Sequence, residues 1–138
     1  MNEYIFEEIN CGHEESFNVK ISQEDILNFS NISGDKNPLH LDDNYSKKTK
    51  FKRPVVYGML VQSYVSTLAG MYLPGKYSLI LSTNLNNKKP CYVNDEIVVC
   101  GKVKSKLTFG NILVLDIKMT NQNNEVVVSG DMKVQVLK

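Results

Sequence analysis

The segment from Asp35 to His40, Asp-Lys-Asn-Pro-Leu-His, carries the side chains of this chain best suited to acid–base chemistry. Its carboxylate and its imidazole are five residues apart, a spacing that matches neither one face of a helix nor one face of a strand. Because Pro38 pushes Asn37 toward an extended conformation, we expect a loop here and not a continuing helix. A loop can fold Asp35 and His40 back toward one point, where the pair could manage a proton on water. The alternative is a surface turn, since Gly-Asp and Asn-Pro are common in turns.

Length and composition are those of an ordinary globular protein. The chain has 138 residues, of which 42% are hydrophobic and 22% charged, and we expect one domain over residues 1–138. The formal net charge of only +1 gives no electrostatic case for a nucleic-acid partner. The start of the sequence lacks the blocks of a signal peptide, and no apolar run reaches the length of a membrane span. We therefore expect a cytoplasmic protein that does not contact a membrane.

The three cysteines, Cys11, Cys91 and Cys100, share no spacing typical of a metal site. The sequence around them shows no basic or helix-start setting that would lower the pKa of a thiol. We expect reduced, structural thiols and no bound metal.

The hydrophobic pattern predicts the elements on either side of the Asp35 segment. Residues 15–21 alternate as a strand. Ser22 followed by Asp25 resembles the N-cap of a helix that ends near Gly34. The polar, lysine-rich stretch 42–53 is typical of a loop or a short helix.

The stretch from Pro54 to Leu73 carries apolar residues nearly all round a helix, which indicates a buried helix, and Pro74-Gly75 ends it. The second half is strand-rich, with strands predicted over residues 79–85, 95–108, 112–119 and 126–137. The last three are joined by tight turns and predict an antiparallel meander. One buried helix against one long antiparallel sheet gives an α+β domain.

Together these features resemble the MaoC-like, (R)-specific enoyl-CoA hydratase family, which has the hot-dog fold, a long central helix wrapped by an antiparallel sheet. The resemblance covers the order of elements and rests on a signature of Asp35-Lys-Asn-Pro-Leu-His40, Asp42, Tyr45, Thr49-Lys-Phe51 and Arg53-Pro-Val-Val-Tyr-Gly-Met-Leu60. The chain departs from the family at one position, because the family commonly has histidine where Tyr57 stands.

The resemblance implies that Asp35 and His40 together hold the water that adds across the double bond of a trans-2-enoyl thioester, without a cofactor. It implies that the backbone N–H of Gly58 forms the oxyanion hole and that Ser66 hydrogen-bonds Asp35. The product would be an (R)-3-hydroxyacyl thioester, carried by coenzyme A or an acyl carrier protein, and the reverse dehydration would use the same groups. A homodimer or a higher homo-oligomer, with the acyl tunnel near the subunit interface, is implied as well.

The residue types suit this reaction. Negative charge builds up on the thioester oxygen, and the first N–H groups of a helix lack partners within the helix. Gly58 has no Cβ, so a substrate carbonyl can approach the main chain; a plain loop-to-helix junction is the alternative. Gln62 and Ser66 follow at intervals of four and form one polar stripe with Gly58. We expect Ser66 to orient Asp35 and Gln62 to line the same region, the alternative being a Ser66 hydroxyl bonded to its own helix.

Asn37, between the two candidate catalytic residues, is expected to support them. Lys50, Lys52 and Arg53 belong to a basic run that could contact the phosphates of coenzyme A or the acidic face of a carrier protein. The alternative for this run is a solvated loop.

Two other functions fit the same fold. A hot-dog thioesterase would cleave the thioester and release free thiol, whereas a non-catalytic acyl-thioester-binding protein would be stabilised by its ligand without turnover. The Asn-Pro-Leu-His spacing favours the hydratase.

Overall fold

All five strands of the protein pair in one antiparallel sheet. The structure, a computed structural model, describes residues 1–138. The strands are β1 (Glu14–Lys20), β2 (Ser78–Asn87), β3 (Glu96–Leu107), β4 (Ile112–Thr120) and β5 (Val126–Val136). Their spatial order is β1-β3-β4-β5-β2, so that β1 and β2 form the two edges. The predicted strands and the predicted meander of β3, β4 and β5 are confirmed.

The helices are α1 (Gln23–Ser33), α2 (Pro38–Leu41), α3 (Asp43–Ser46) and α4 (Gly58–Thr67), which a π-helical turn, Leu68–Tyr72, continues. The predicted start and end of α1 are confirmed. The hydroxyl of Ser22 accepts from the N–H of Asp25, and the Asp25 carboxylate accepts from the N–H of Ser22. Gly34 ends the helix with a positive φ of 77°, a conformation that glycine adopts without steric cost. None of the helices is long and apolar enough to cross a membrane.

As expected, α1 does not continue through the Asp35–His40 segment, but the predicted loop is shorter than expected because a separate helix, α2, begins at Pro38. Proline suits the first position of a helix, where its missing N–H is not needed and its φ is already helical. Asn37 caps this helix, and its side-chain oxygen accepts from the N–H of Leu39 at 2.9 Å. His40 is therefore carried by a short helix and not by a loop.

The helix predicted within the stretch from Pro54 to Leu73 begins at Gly58, the position expected to open it, but only one of its faces is buried within the chain. Leu60, Val61 and Val65 are buried in the core, whereas Met59 is 65% exposed. A single sheet covers one side of a helix, so the prediction of a helix buried all round is wrong for the isolated chain.

Gly101 of β3 lets the helical segment approach the sheet closely. A Cβ at this position would lie 2.6 Å from Cδ2 of Leu68, and Leu68 is fully buried. The π-helical turn contacts β1, β2 and β3. This contact fixes the far end of the helix whose first residue is Gly58.

Candidate active site

A cavity of about 360 Å³ opens beside the start of α4. Its lining combines apolar side chains with an imidazole, a glycine and lysines, namely His40, Lys50, Phe51, Val55, Val56, Gly58, Val61, Asn87, Lys88, Lys89, Pro90, Cys91 and Val128. His40 and Gly58, to which the family resemblance assigned roles in one reaction, thus both line one cavity within a single chain.

Main-chain hydrogen bonds hold the walls of this cavity together. The N–H of Val55 donates to the carbonyl of Leu39 in α2 at 3.2 Å, and the N–H of Val56 donates to the carbonyl of Cys91 at 2.8 Å. The short segment before α4 is therefore tied both to the helix that carries His40 and to the segment after β2.

His40 is oriented through one of its ring nitrogens. Nδ1 lies 2.5 Å from the carbonyl oxygen of Val55, and since a carbonyl can only accept, Nδ1 carries the proton. In the neutral ring this leaves the lone pair on Nε2, which can take a proton from water. The imidazole also packs against the Tyr57 ring, with centroids 4.0 Å apart.

Asp35 is exposed and lies outside the cavity lining, although its main chain is firmly held. Its Oδ1 accepts from the N–H of Asn37 at 2.9 Å. Its carbonyl accepts from the hydroxyls of Ser30, at 2.9 Å, and Tyr57, at 2.7 Å. Asp35 and His40 therefore both contact Tyr57, and Asn37 supports the pair by capping α2.

The N–H groups at the start of α4 are free. Within the chain, the N–H groups of Gly58, Met59 and Leu60 have no acceptor, and the first N–H in use is that of Val61, which donates to Tyr57. The amide at Gly58 is thus available to an oxygen in the cavity, in the place where the helix dipole is positive.

Asn87, at the end of β2, is a cavity residue that the sequence analysis missed. A Cβ at Gly58 would lie 2.5 Å from Nδ2 of Asn87, so the amide of Asn87 occupies the space that the glycine leaves. Gln62 donates from Nε2 to Oδ1 of Asn87 at 3.1 Å. Gln62 therefore acts on the cavity through Asn87, a contact across the fold that no local sequence pattern indicates.

The predicted hydrogen bond between Ser66 and Asp35 is not formed within the chain. The Asp35 carboxylate accepts from Asn37, and Ser66 is exposed on α4. Eight residues of helix separate Ser66 from Gly58, a distance of about 12 Å along the axis. The stripe predicted from the spacing of four exists, but its two ends lie far apart.

Of the three basic residues predicted to contact substrate phosphates, only Lys50 lines the cavity. Lys52 lies outside it, and Arg53 stacks on Tyr92 with Cζ 3.6 Å from the ring centroid and lines a neighbouring cavity of about 400 Å³. Lys52 and Arg53 therefore do not line this cavity, and their contact with substrate phosphates stays a prediction.

Two other lysines, Lys88 and Lys89, directly follow β2 and line the cavity. Lys89 forms an ion pair with Glu125, and the hydrogen bond from Lys89 is the main cause that lowers the pKa of Glu125. Lys88 and Lys50 form no ion pair within the chain, so these two cations are free to meet an anionic ligand.

Cys91 lines the same cavity, but its thiol is not poised as a nucleophile. Burial, and then the charge of Asp95, raise the pKa of Cys91 to about 12. At pH 8 the thiolate is therefore roughly one part in ten thousand.

Thiol labelling at pH 8 is expected to separate the cysteines. Exposed Cys11 should react with a maleimide within minutes, whereas Cys91 should stay unmodified until the protein unfolds. Mass spectrometry of peptides after timed quenching measures both. Labelling of native Cys91 as fast as that of Cys11 would contradict this account of the cavity.

Comparison with known proteins places this architecture. The family model of the MaoC-like domain matches residues 8–124. The chain is 32% identical over 128 residues to an (R)-specific enoyl-CoA hydratase of Aeromonas caviae, covering 93% of this chain and 96% of the relative. It is 31% identical over 94 residues to a 3-hydroxybutyryl-CoA dehydratase of Methylorubrum extorquens, covering 68% of this chain and 60% of that protein.

Solved structures agree with this assignment. The (R)-hydratase of A. caviae involved in PHA biosynthesis superposes with a TM-score of 0.89 at 32% identity, over 93% of this chain and 97% of that one. An R-hydratase of Pseudomonas aeruginosa superposes with a TM-score of 0.91 at 29% identity, over 96% and 84%. These matches confirm the predicted α+β hot-dog fold. The sequence signature between Asp35 and Leu60, the fold and the matched relatives all indicate the same family. The chain belongs to the MaoC-like domain family.

Proposed function

We propose that the protein hydrates trans-2-enoyl thioesters to (R)-3-hydroxyacyl thioesters and runs the reverse dehydration, without a metal or redox cofactor. One observation carries this proposal: His40, whose Nε2 is free, and Gly58, whose N–H is free, both line one cavity. The reaction needs a base that activates water on one side of the reacting carbons. It needs a hydrogen-bond donor to the thioester oxygen on the other side.

In the proposed mechanism, His40 and Asp35 hold one water and remove its proton as its oxygen bonds to C3. The electron pair of the double bond shifts toward the thioester carbonyl, and the resulting enolate oxygen accepts a hydrogen bond from Gly58. One such donor is typically worth about 2.7–4 kcal/mol. The proton taken from water then passes to C2, so atoms and charge balance without a further reactant.

A direct assay tests the function. Purified protein should remove the conjugated absorbance of crotonyl-CoA, and chiral analysis should find (R)-3-hydroxybutyryl-CoA. Release of free thiol without loss of the double bond would identify a thioesterase instead, and thermal stabilisation without turnover would identify a binding protein. A panel of enoyl thioesters of increasing length then defines the acyl chain.

We further propose that the protein works as a homodimer that forms through the edge strand β2. The ten residues of β2 include no charge, and Leu79, Ile80 and Leu81 are 46%, 36% and 46% exposed. The other edge, β1, carries Glu14, Glu15 and Lys20. Charges of this kind protect an edge from pairing, whereas an uncharged apolar edge is suited to it. A second copy would also cover Met59 and bring its Ser66 toward Asp35, the contact that one chain does not make.

We propose that Lys50 and Lys88 bind the phosphates of the coenzyme A carrier. They are the two unpaired cations on the cavity that contains His40 and Gly58. A phosphate at the cavity mouth would gain charge-assisted hydrogen bonds from both lysines. An acyl carrier protein, whose prosthetic arm also carries a phosphate and whose surface is acidic, is the other carrier compatible with this charge.

Lys88→Glu and Lys50→Glu are each expected to raise KM for crotonyl-CoA about tenfold, equivalent to about 1.4 kcal/mol, and to leave kcat unchanged. The effect should shrink as salt is added, because screening weakens exposed charges. Initial rates over a range of substrate concentrations measure both constants.

Two controls make this test specific. Lys104→Glu changes the same charge on the exposed face of β3 and should leave KM unaltered. The N-acetylcysteamine thioester lacks the phosphates, so its KM should not respond to Lys88→Glu. An equal rise for both substrates would show that Lys88 does not act on phosphate.

A further inference from the structure

We infer that Tyr57 is a positioning residue that fixes the Asp35 main chain against the imidazole of His40. The inference rests on the proposed function, since it assigns a role to Tyr57 within that site. Tyr57 is the position at which the chain departs from the family signature, and its side chain is only 2% exposed.

Two different contacts of one side chain carry the inference. The Tyr57 hydroxyl donates to the carbonyl of Asp35 at 2.7 Å. The Tyr57 ring lies 4.0 Å from the imidazole of His40, at an interplanar angle of 33°. One rigid, buried phenol thus contacts both candidate catalytic residues, one through its hydroxyl and the other through its ring.

The Asp35 carbonyl is held on two sides. Besides Tyr57 it accepts from the hydroxyl of Ser30 at 2.9 Å, and Ser30 is 2% exposed. The Asp35 N–H donates to the hydroxyl of Ser33 at 3.2 Å. The carboxylate itself is exposed and keeps one oxygen for Asn37. The main chain of Asp35 is thus fixed while its carboxylate stays accessible to water.

The second contact, between the rings of Tyr57 and His40, restricts the orientation of the imidazole. The Nδ1 bond to the carbonyl of Val55 sets the tilt of the ring, and the Tyr57 ring supports its face. Val55, Tyr57 and Gly58 lie within four consecutive residues. One short segment thus supplies the partner of Nδ1, the support of the ring and the free N–H, and so sets their relative positions.

The phenol hydroxyl can be removed without removing the ring. Tyr57→Phe keeps the contact with His40, and Ser30 still donates to the Asp35 carbonyl, so we expect the variant to fold. With Asp35 less well placed, kcat for crotonyl-CoA should fall between about 10-fold and 100-fold, the loss that a misplacement of about 1 Å can cause. KM should stay within about twofold of the wild type, because Tyr57 does not line the cavity.

Tyr64→Phe is a matched control on α4, the helix that directly follows Tyr57. The Tyr64 hydroxyl is buried without a hydrogen-bond partner, and burial, as the largest cause, raises its pKa to about 12. Its removal should leave kcat unchanged and the melting temperature equal to or above that of the wild type, because no hydrogen bond is lost.

The same substitution in an Asp35→Asn background separates positioning from general stability. If Tyr57 acts through Asp35, Tyr57→Phe should cost less than about twofold in that background, because the carboxylate it positions is already absent. An equal fold-loss in both backgrounds, or an unchanged kcat in the single variant, would overturn the inference.

A folding defect would not end the test. If Tyr57→Phe does not fold, Ser30→Ala can be used, because it removes the other donor to the Asp35 carbonyl. Ser30→Ala should lower kcat in the wild-type background but not in the Asp35→Asn background. An unchanged kcat in the wild-type background would overturn the inference. Failure of the proposed function is separately visible, because it would leave the wild-type protein itself without hydration of crotonyl-CoA.

Discussion

Asp35→Asn and His40→Gln are each expected to lower kcat for the hydration of crotonyl-CoA by roughly 10² to 10⁴, the contribution of a positioned acid or base. The amide of Asn keeps the shape of Asp35 and an oxygen that can accept from the N–H of Asn37, but it cannot take a proton from water. Gln at position 40 can still donate to the Val55 carbonyl, as Nδ1 does, but it has no basic nitrogen. Steady-state rates at high enzyme concentration measure the residual activity.

Matched substitutions elsewhere separate chemistry from folding. His13→Gln changes the other histidine of the chain, which is half-buried beside Glu15. Asp43→Asn changes an exposed carboxylate at the start of α3. Both should retain wild-type kcat. Full activity in both Asp35→Asn and His40→Gln would falsify the proposed mechanism.

Local chemistry in the sequence was enough to predict the scaffold of the site. The mutual hydrogen bonds of Ser22 and Asp25 and the left-handed Gly34 follow from residue types a few positions apart. The alternation of β3, β4 and β5 follows from burial of one face. These interactions are local or periodic, so one sequence contains the information needed to predict them.

Contacts between distant segments could not be predicted in this way. Asn87 packs on Gly58, Lys88 lines the same cavity as His40, and Tyr57 donates to Asp35, each across at least twenty residues of chain. The sequence around Asn87 and Lys88 resembles that of ordinary surface residues, and only the folded sheet brings these two residues to the cavity. The spacing of four that linked Gly58 to Ser66 placed both on one helix but carried no information on the distance to Asp35.

The wrong prediction that α4 is buried all round within the chain is informative about assembly. The apolar pattern over this helix is real, and Met59 and Met71 belong to it, yet they are 65% and 44% exposed in the single chain. This exposed apolar surface gains a partner in the proposed dimer. It lies next to the uncharged edge of β2, and the groove between α4 and β2 is lined by Phe29, Met59 and Leu85 among others. In the proposed dimer the second copy would supply the layer that covers this face of the helix, and the chain itself supplies the other.

Leu81→Lys is accordingly expected to raise the dissociation constant of the dimer at least about 100-fold. Burying a leucine is worth about 1.5–3 kcal/mol, and in a two-fold symmetric interface every substitution acts twice. Leu81 is 46% exposed in the single chain and lies on the edge strand. Sedimentation velocity over a dilution series measures the shift from dimer to monomer.

Leu107→Lys is the matched control, because Leu107 is 45% exposed but lies at the end of β3, away from the β2 edge. It should leave the dimer intact. If the second copy completes the site through Ser66, the specific activity of Leu81→Lys should rise with protein concentration as the dimer re-forms, whereas that of Leu107→Lys should stay constant. Two results would show that β2 is not the interface: a wild-type protein that sediments as a monomer at every concentration, or a Leu81→Lys dimer as tight as the wild type. Ser66 of a second copy could then not reach Asp35 across that edge.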